Sequence, residues 1–91
     1  MSDRTVAIIT GASQGIEAAI AKKLTADNAA VVINDAGNES KANETVSEIQ
    51  TANRTAVAVQ AEVASTTDVK RLFDQTKDRL GEIDVLIKPF A

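Results

Sequence analysis

The sequence predicts an α/β fold built on a parallel sheet. Four short, nearly continuous apolar runs read as strands buried on both faces. Three segments with helical spacing lie between them, and capping residues stand at the joins. The resulting βαβαβαβ pattern requires parallel neighbours joined by right-handed crossovers.

Thr5-Val6-Ala7-Ile8-Ile9-Thr10 is a β-branched run that stops at Gly11. Ile16, Ile20 and Leu24 then recur every four residues, with Lys22, Lys23 and Asp27 outside the stripe, which predicts a first helix. Ala30-Val31-Val32-Ile33-Asn34 is the second strand, closed by Asp35. Ala42, Val46, Ile49 and Ala52 form the apolar stripe of a second helix, and Thr55 to Gln60 is the third strand. Ser65 precedes Asp68 by three residues, so its hydroxyl and that carboxylate can satisfy the first orphan amides of a third helix. That helix carries the stripe Val69, Leu72, Phe73, Thr76 and Leu80, and Gly81 supplies a left-handed stop. Ile83-Asp84-Val85-Leu86-Ile87 is the fourth strand.

Composition narrows the chemistry. The 91 residues contain no Cys and no His, which excludes disulfides, thiolate chemistry, zinc fingers and imidazole catalysis. A net charge of −3 with scattered Lys and Arg offers nucleic acid no electrostatic footprint. Apolar runs fall far short of the ~20 residues that span a bilayer, so no membrane partner is expected. Met-Ser-Asp-Arg-Thr lacks a signal-peptide layout, and the chain reads as soluble and cytoplasmic. A single domain of this length buries only ~60–65% of its unfolded surface, which leaves it marginally stable unless a partner covers more.

The informative motif follows the first strand. Thr10-Gly11-Ala12-Ser13-Gln14-Gly15-Ile16 is a glycine-bearing turn that opens a helix. Glycine there lets the backbone approach a pyrophosphate, whose charge is met by the helix N-terminus. Asp35 ends the second strand 20 residues after Gly15, where an acid can accept hydrogen bonds from the hydroxyls of an adenosine ribose. Many strand–helix turns use glycine for geometry alone, so the turn gains its meaning from the strand before it and from Asp35. Ser13 and Ser65 have no His and no obvious Lys base, and both are better explained as helix starters. Asp74, Asp78 and Glu82 beside Lys70, Arg71, Lys77 and Arg79 read as a solvated helix face.

These residues resemble the N-terminal half of short-chain dehydrogenases/reductases, in particular the 3-oxoacyl-[acyl-carrier-protein] reductase type. The likeness is carried by residues 10 to 16, by Ala18-Ala19-Ile20-Ala21-Lys22-Lys23-Leu24, by Ala61-Glu62-Val63 and by Gly81 to Ile87. It implies a Rossmann-like sheet in the order 3-2-1-4, with the first two helices on one face and the third on the other. It also implies that Gly11, Ser13, Gln14, Gly15 and Ile16 line the phosphate end of a bound NAD(P). Asp35 would hold the adenosine ribose and favour NAD over a 2′-phosphate, while Glu62 and Val63 would flank the adenine.

The sequence departs from the family pattern at four places. Glu17 replaces its third glycine, and a carboxylate ~5 Å from a phosphate charge costs ~3 kcal/mol at an effective dielectric of ~20. The plainer role for Glu17 is stabilisation of the helix start, worth ~0.3–1 kcal/mol and accompanied by a weakened cofactor site. Lys88-Pro89-Phe90-Ala91 stands in place of Asn-Asn-Ala-Gly, Pro89 ends the strand, and Phe90 is expected to fold back over apolar surface. Glu62 stands for Asp, either shifting a carboxylate at the adenine or simply solvating a loop. The family's catalytic Ser and Tyr-x-x-x-Lys would lie beyond Ala91, and the sequence holds no Tyr, so no catalytic residue is assigned.

The expectation is a single truncated Rossmann half-domain, residues 1–91, with weak or absent cofactor binding and no independent turnover. A non-catalytic scaffold or self-assembling unit is the alternative. A sheet face covered by one helix and an open fourth strand predict a homo-oligomer through the exposed face or edge. No metal site is expected.

Overall fold

A computed structural model describes residues 4–10, 14–35 and 39–88. Four strands, β1 (Val6–Thr10), β2 (Ala30–Asp35), β3 (Thr55–Gln60) and β4 (Val85–Ile87), alternate with three helices, α1 (Gln14–Ala26), α2 (Glu39–Thr51) and α3 (Thr66–Leu80). All strand pairs are parallel and the order is β3-β2-β1-β4, as the family resemblance implies.

The pleat sends alternate side chains to two separate apolar layers. Ala7, Ile9, Val31, Ile33 and Ala56 meet Ala21 of α1 and Ala42, Val46 and Ile49 of α2. Ile8, Val32 and Val59 face the other way, onto Leu72 of α3, with Val57, Phe73, Leu80 and Ile83 at the margin. Two helices therefore cover one face and one helix covers the other, again as expected.

Three details differ from the sequence reading. In α1 the buried line is Glu17, Ala21 and Thr25, while Ile20 and Leu24 are only partly buried and Ile16 is 41% exposed. Small Ala21 lets the helix lie close to the sheet, so the larger side chains flank the contact. Ala52 is exposed, because α2 ends one residue earlier at Thr51. The fourth strand is only three residues long, and it is not buried on both faces: Val85 and Leu86 are 40% and 53% exposed. With β1 on one side and no described strand on the other, β4 has nothing to bury against.

Helix ends follow local chemistry. The Ser65 hydroxyl accepts the Asp68 amide at 3.2 Å, so the N-cap stands where the sequence put it. The Asp68 carboxylate instead accepts the Glu62 amide at 2.9 Å, tying down the preceding loop rather than the helix start. Gly81 has φ 104° and its amide donates to Lys77 O at 3.1 Å, a backbone conformation that favours glycine. Both α1 and α2 end on asparagines with positive φ, Asn28 at 72° and Asn53 at 62°. Ala29 and Arg54 donate back to Leu24 O and Ile49 O across these residues, the hydrogen-bond pattern of a left-handed helix cap. The expected charged face of α3 is present, with Lys70–Asp74 at 3.3 Å and Arg71–Asp68 at 3.8 Å on its surface. Pro89 and Phe90, and the fold-back expected of Phe90, lie outside the described residues.

Candidate functional site

The strand order reverses between β1 and β4, and the crevice outside the carboxyl ends of such strands is where ligands bind in open parallel sheets. Thr10 ends β1 and its hydroxyl donates to Ile87 O of β4 at 3.4 Å, joining the two strand ends across the reversal. Gln14 is the first residue of α1, the helix that follows β1.

Of the residues singled out by the sequence, Gly11 and Ser13 lie outside the described residues. Gly15 and Ile16 sit exposed in the first turn of α1. A Cβ built on Gly15 would meet nothing within 4 Å, and its φ is not in the left-handed range. Neither packing nor backbone conformation demands glycine there. What the residue leaves is clear space at the start of a helix, the kind of approach a phosphate group uses.

Asp35 terminates β2 and is buried. Its carbonyl accepts the Ala61 amide at 2.9 Å, which brings the loop after β3 beside it. Asn34 fixes the same junction: its side-chain amide donates to Val59 O at 3.3 Å and Ala61 O at 3.1 Å. Glu62 and Val63 follow in that loop, both exposed. The Glu62 backbone is held on both sides, its amide by Asp68 and its carbonyl by the Ser65 amide at 2.9 Å. The described candidates therefore gather at one end of the sheet. The sequence placed Asn34 only as the end of the strand and did not give it this role, although a polar residue closing an otherwise apolar buried run was the available signal.

Glu17 changes the character of the site. It lies in the first turn of α1, as a helix-start acid would, but it is only 8% exposed and its Oε2 atom has no hydrogen-bond partner. Burial, reinforced by the nearby negative charge of Asp35, pushes its carboxyl from 4.5 up to about 7. The dipole-stabilising role expected from the sequence needs an ionised carboxylate, and here the surroundings oppose ionisation. The sequence reading missed the burial because it placed the apolar stripe on Ile16, Ile20 and Leu24, one residue round the helix from the true one.

An NAD(P)-type nucleotide fits part of this arrangement. The clear space at Gly15 and the acid at the end of β2 suit a diphosphate and a ribose. Glu17 suits the same group only when its carboxyl is neutral. Among the described residues no group of three or more His, Cys, Asp or Glu could hold a metal ion, and no helix is long and apolar enough to cross a membrane.

The sequence profile of the family described as short chain dehydrogenase matches residues 5–89. An uncharacterised oxidoreductase of Methylorubrum extorquens is 44% identical over 82 residues, covering 90% of this chain and 33% of the relative. A 3-oxoacyl-[acyl-carrier-protein] reductase of Synechocystis is 43% identical over 82 residues, with the same coverage. Among solved structures, a dehydrogenase/reductase from Sinorhizobium meliloti superposes with a TM-score of 0.88 at 34% identity, covering 98% of this chain and 35% of that one. A blue fluorescent protein from a metagenomic library, solved in complex with NADPH, gives 0.83 at 36% identity, covering 90% and 34%. The chain thus spans one third of the length of the curated relatives it matches.

Proposed function

The chain belongs to the short-chain dehydrogenase family, and on that premise we propose that residues 1–91 form a nicotinamide-nucleotide-binding half-domain without turnover of its own. The observation that carries this reading is an open first turn at Gly15, in the helix that follows β1 beside the reversal of strand order, with the acid Asp35 ending the neighbouring strand β2. In it, the Gly11–Ile16 turn takes the diphosphate through backbone amides and the start of α1. Asp35 accepts hydrogen bonds from the adenosine ribose and disfavours a 2′-phosphate, so NAD is preferred to NADP. Glu62 and Val63 border the adenine. The nucleotide would supply hydride chemistry, but the sequence contains no Tyr to act as a phenolic acid beside it. A cytoplasmic location is part of this reading.

Calorimetric titration of the purified chain with NAD at pH 6 tests the proposal. Saturable binding in the micromolar-to-millimolar range, weaker for NADP, is expected. A folded chain that binds neither nucleotide at several millimolar removes the reading.

A second reading rests on β4. Its Val85 and Leu86 side chains are exposed and no described strand flanks it on the side away from β1, so the edge is free to pair with a second copy. On this view the unit is a self-associating scaffold. Sedimentation across a range of concentrations checks it, and a single monomeric species throughout would dismiss it.

A further inference from the structure

Glu17 is the one described side chain with a fully buried polar atom lacking a partner. Such an atom costs free energy in the folded state and calls for a role. Its place supplies one. It lies two residues after exposed Gly15 in the first turn of α1, on the buried side of the helix, where the charge of Asp35 reaches it.

We propose that Glu17 makes the nucleotide site proton-gated: as a neutral acid it admits the diphosphate and ribose, and as a carboxylate it expels them. This rests on the nucleotide-site reading above and adds the condition under which the site works. The neutral acid adds no charge beside Asp35, whereas the anion places a second negative charge beneath a ligand that is itself negative.

The charged surroundings keep the gate simple. Helix α1 packs on β1, β2 and α2. Strand β1 contains no ionisable side chain, and β2 contains only Asp35. The ionisable residues of α2, namely Glu39, Lys41, Glu44 and Glu48, are exposed, as are Lys22 and Lys23 of α1 itself. Residues 11–13 and 36–38, which follow β1 and β2 in the sequence, are all uncharged types. No cation on these elements is therefore buried with Glu17, and Asp35 opposes its ionisation. A bound diphosphate adds negative charge and raises the proton affinity further, so binding must take up a proton above neutrality.

The test uses ADP-ribose, which carries the diphosphate and adenosine ribose without the nicotinamide. Calorimetric titrations are run from pH 6 to pH 8.5 on the 91-residue chain and on Glu17→Gln. The wild type should lose affinity about tenfold per pH unit above neutrality, roughly thirtyfold across the range, and take up about one proton near pH 8. That uptake appears as a binding heat that differs between phosphate and Tris buffers. Glu17→Gln should bind with an affinity that does not change from pH 6 to pH 8.5 and without proton uptake.

A pH-independent wild-type affinity without proton uptake overturns the gate while leaving the nucleotide reading in place, as does a Glu17→Gln profile that copies the wild type. If Glu17→Gln fails to fold, the wild-type proton uptake decides alone. Two folded proteins that bind nothing at any pH remove both readings together.

Discussion

Val6 and Asp84 hold each other through two hydrogen bonds. The Val6 amide donates to Asp84 Oδ2 at 2.9 Å, and the Asp84 amide donates to Val6 O at 2.9 Å. The second extends the β1–β4 ladder by one step beyond Ala7–Val85, and the first gives the start of β1 an acceptor that β4 backbone does not provide. A three-residue edge strand is thus fastened by a side chain as well as by its backbone.

Asp84→Ala leaves the amide of buried Val6 without that acceptor, and the expected loss is about 1–3 kcal/mol of stability. Asp84→Asn keeps a carbonyl oxygen in place and should lose less. Urea unfolding of the three proteins separates the cases.

Stability should fall as pH rises through the window set by Glu17. Its carboxyl titrates near 4.5 in the unfolded chain and near 7 in the folded one, so between these values the folded state holds a proton that the unfolded state has released. Below about 4.5 both states are protonated and there is no penalty; above about 7 the penalty is complete, at roughly 3 kcal/mol. Urea midpoints between pH 5 and pH 8 measure the slope. Glu17→Gln should flatten it.

Leu72→Ala should cost about 2–5 kcal/mol, because Leu72 is the fully buried apolar side chain through which α3 seals its face of the sheet. In a domain this small that is a large part of the total. Thermal unfolding by circular dichroism would register it as a markedly lower midpoint.

Asn28→Ala places an ordinary side chain at φ 72° and should destabilise by about 1 kcal/mol, while Asn28→Gly should not. The same pair at Asn53 should behave alike. Equality of the Ala and Gly variants would show that the positive φ carries no cost at these ends.

Leu86→Lys on the exposed β4 edge should leave stability nearly unchanged and suppress any concentration-dependent association. Sedimentation before and after the substitution is the measurement. An unchanged association would move the contact elsewhere on the molecule.

Much of the fold was legible because parallel strands advertise themselves. The run Ala30 to Asn34 has one reading as a fully buried strand, and Thr55 to Gln60 matches the third strand residue for residue. Ser65 and Gly81 marked the ends of α3 through backbone requirements that few other residues meet. The rotation of α1 was not legible. Ile16, Ile20 and Leu24 are the bulkiest apolar residues in the helix, yet close packing on the sheet selected the smaller Ala21 and Thr25 and drew Glu17 inward with them. Hydrophobicity ranks residues by transfer energy, whereas a close helix–sheet contact also ranks them by size. At the site, Asp35 was found from its position at the end of a strand. Its effect on Glu17 depends on a contact between β2 and α1 that no local pattern encodes.

The two apolar layers share the sheet but not their side chains, and they are unequal. One is sealed by α1 and α2 together, the other by α3 alone. The molecule therefore need not come apart in one motion. Helix α3 can lift away while β1, β2 and the two opposing helices keep their packing, and its amides should exchange with deuterium ahead of those in the central strands. The sheet face uncovered by that lift is apolar, built from Ile8, Val32 and Val59. Brief partial opening, rather than complete unfolding, would then be the event that sets how long the protein survives in concentrated solution.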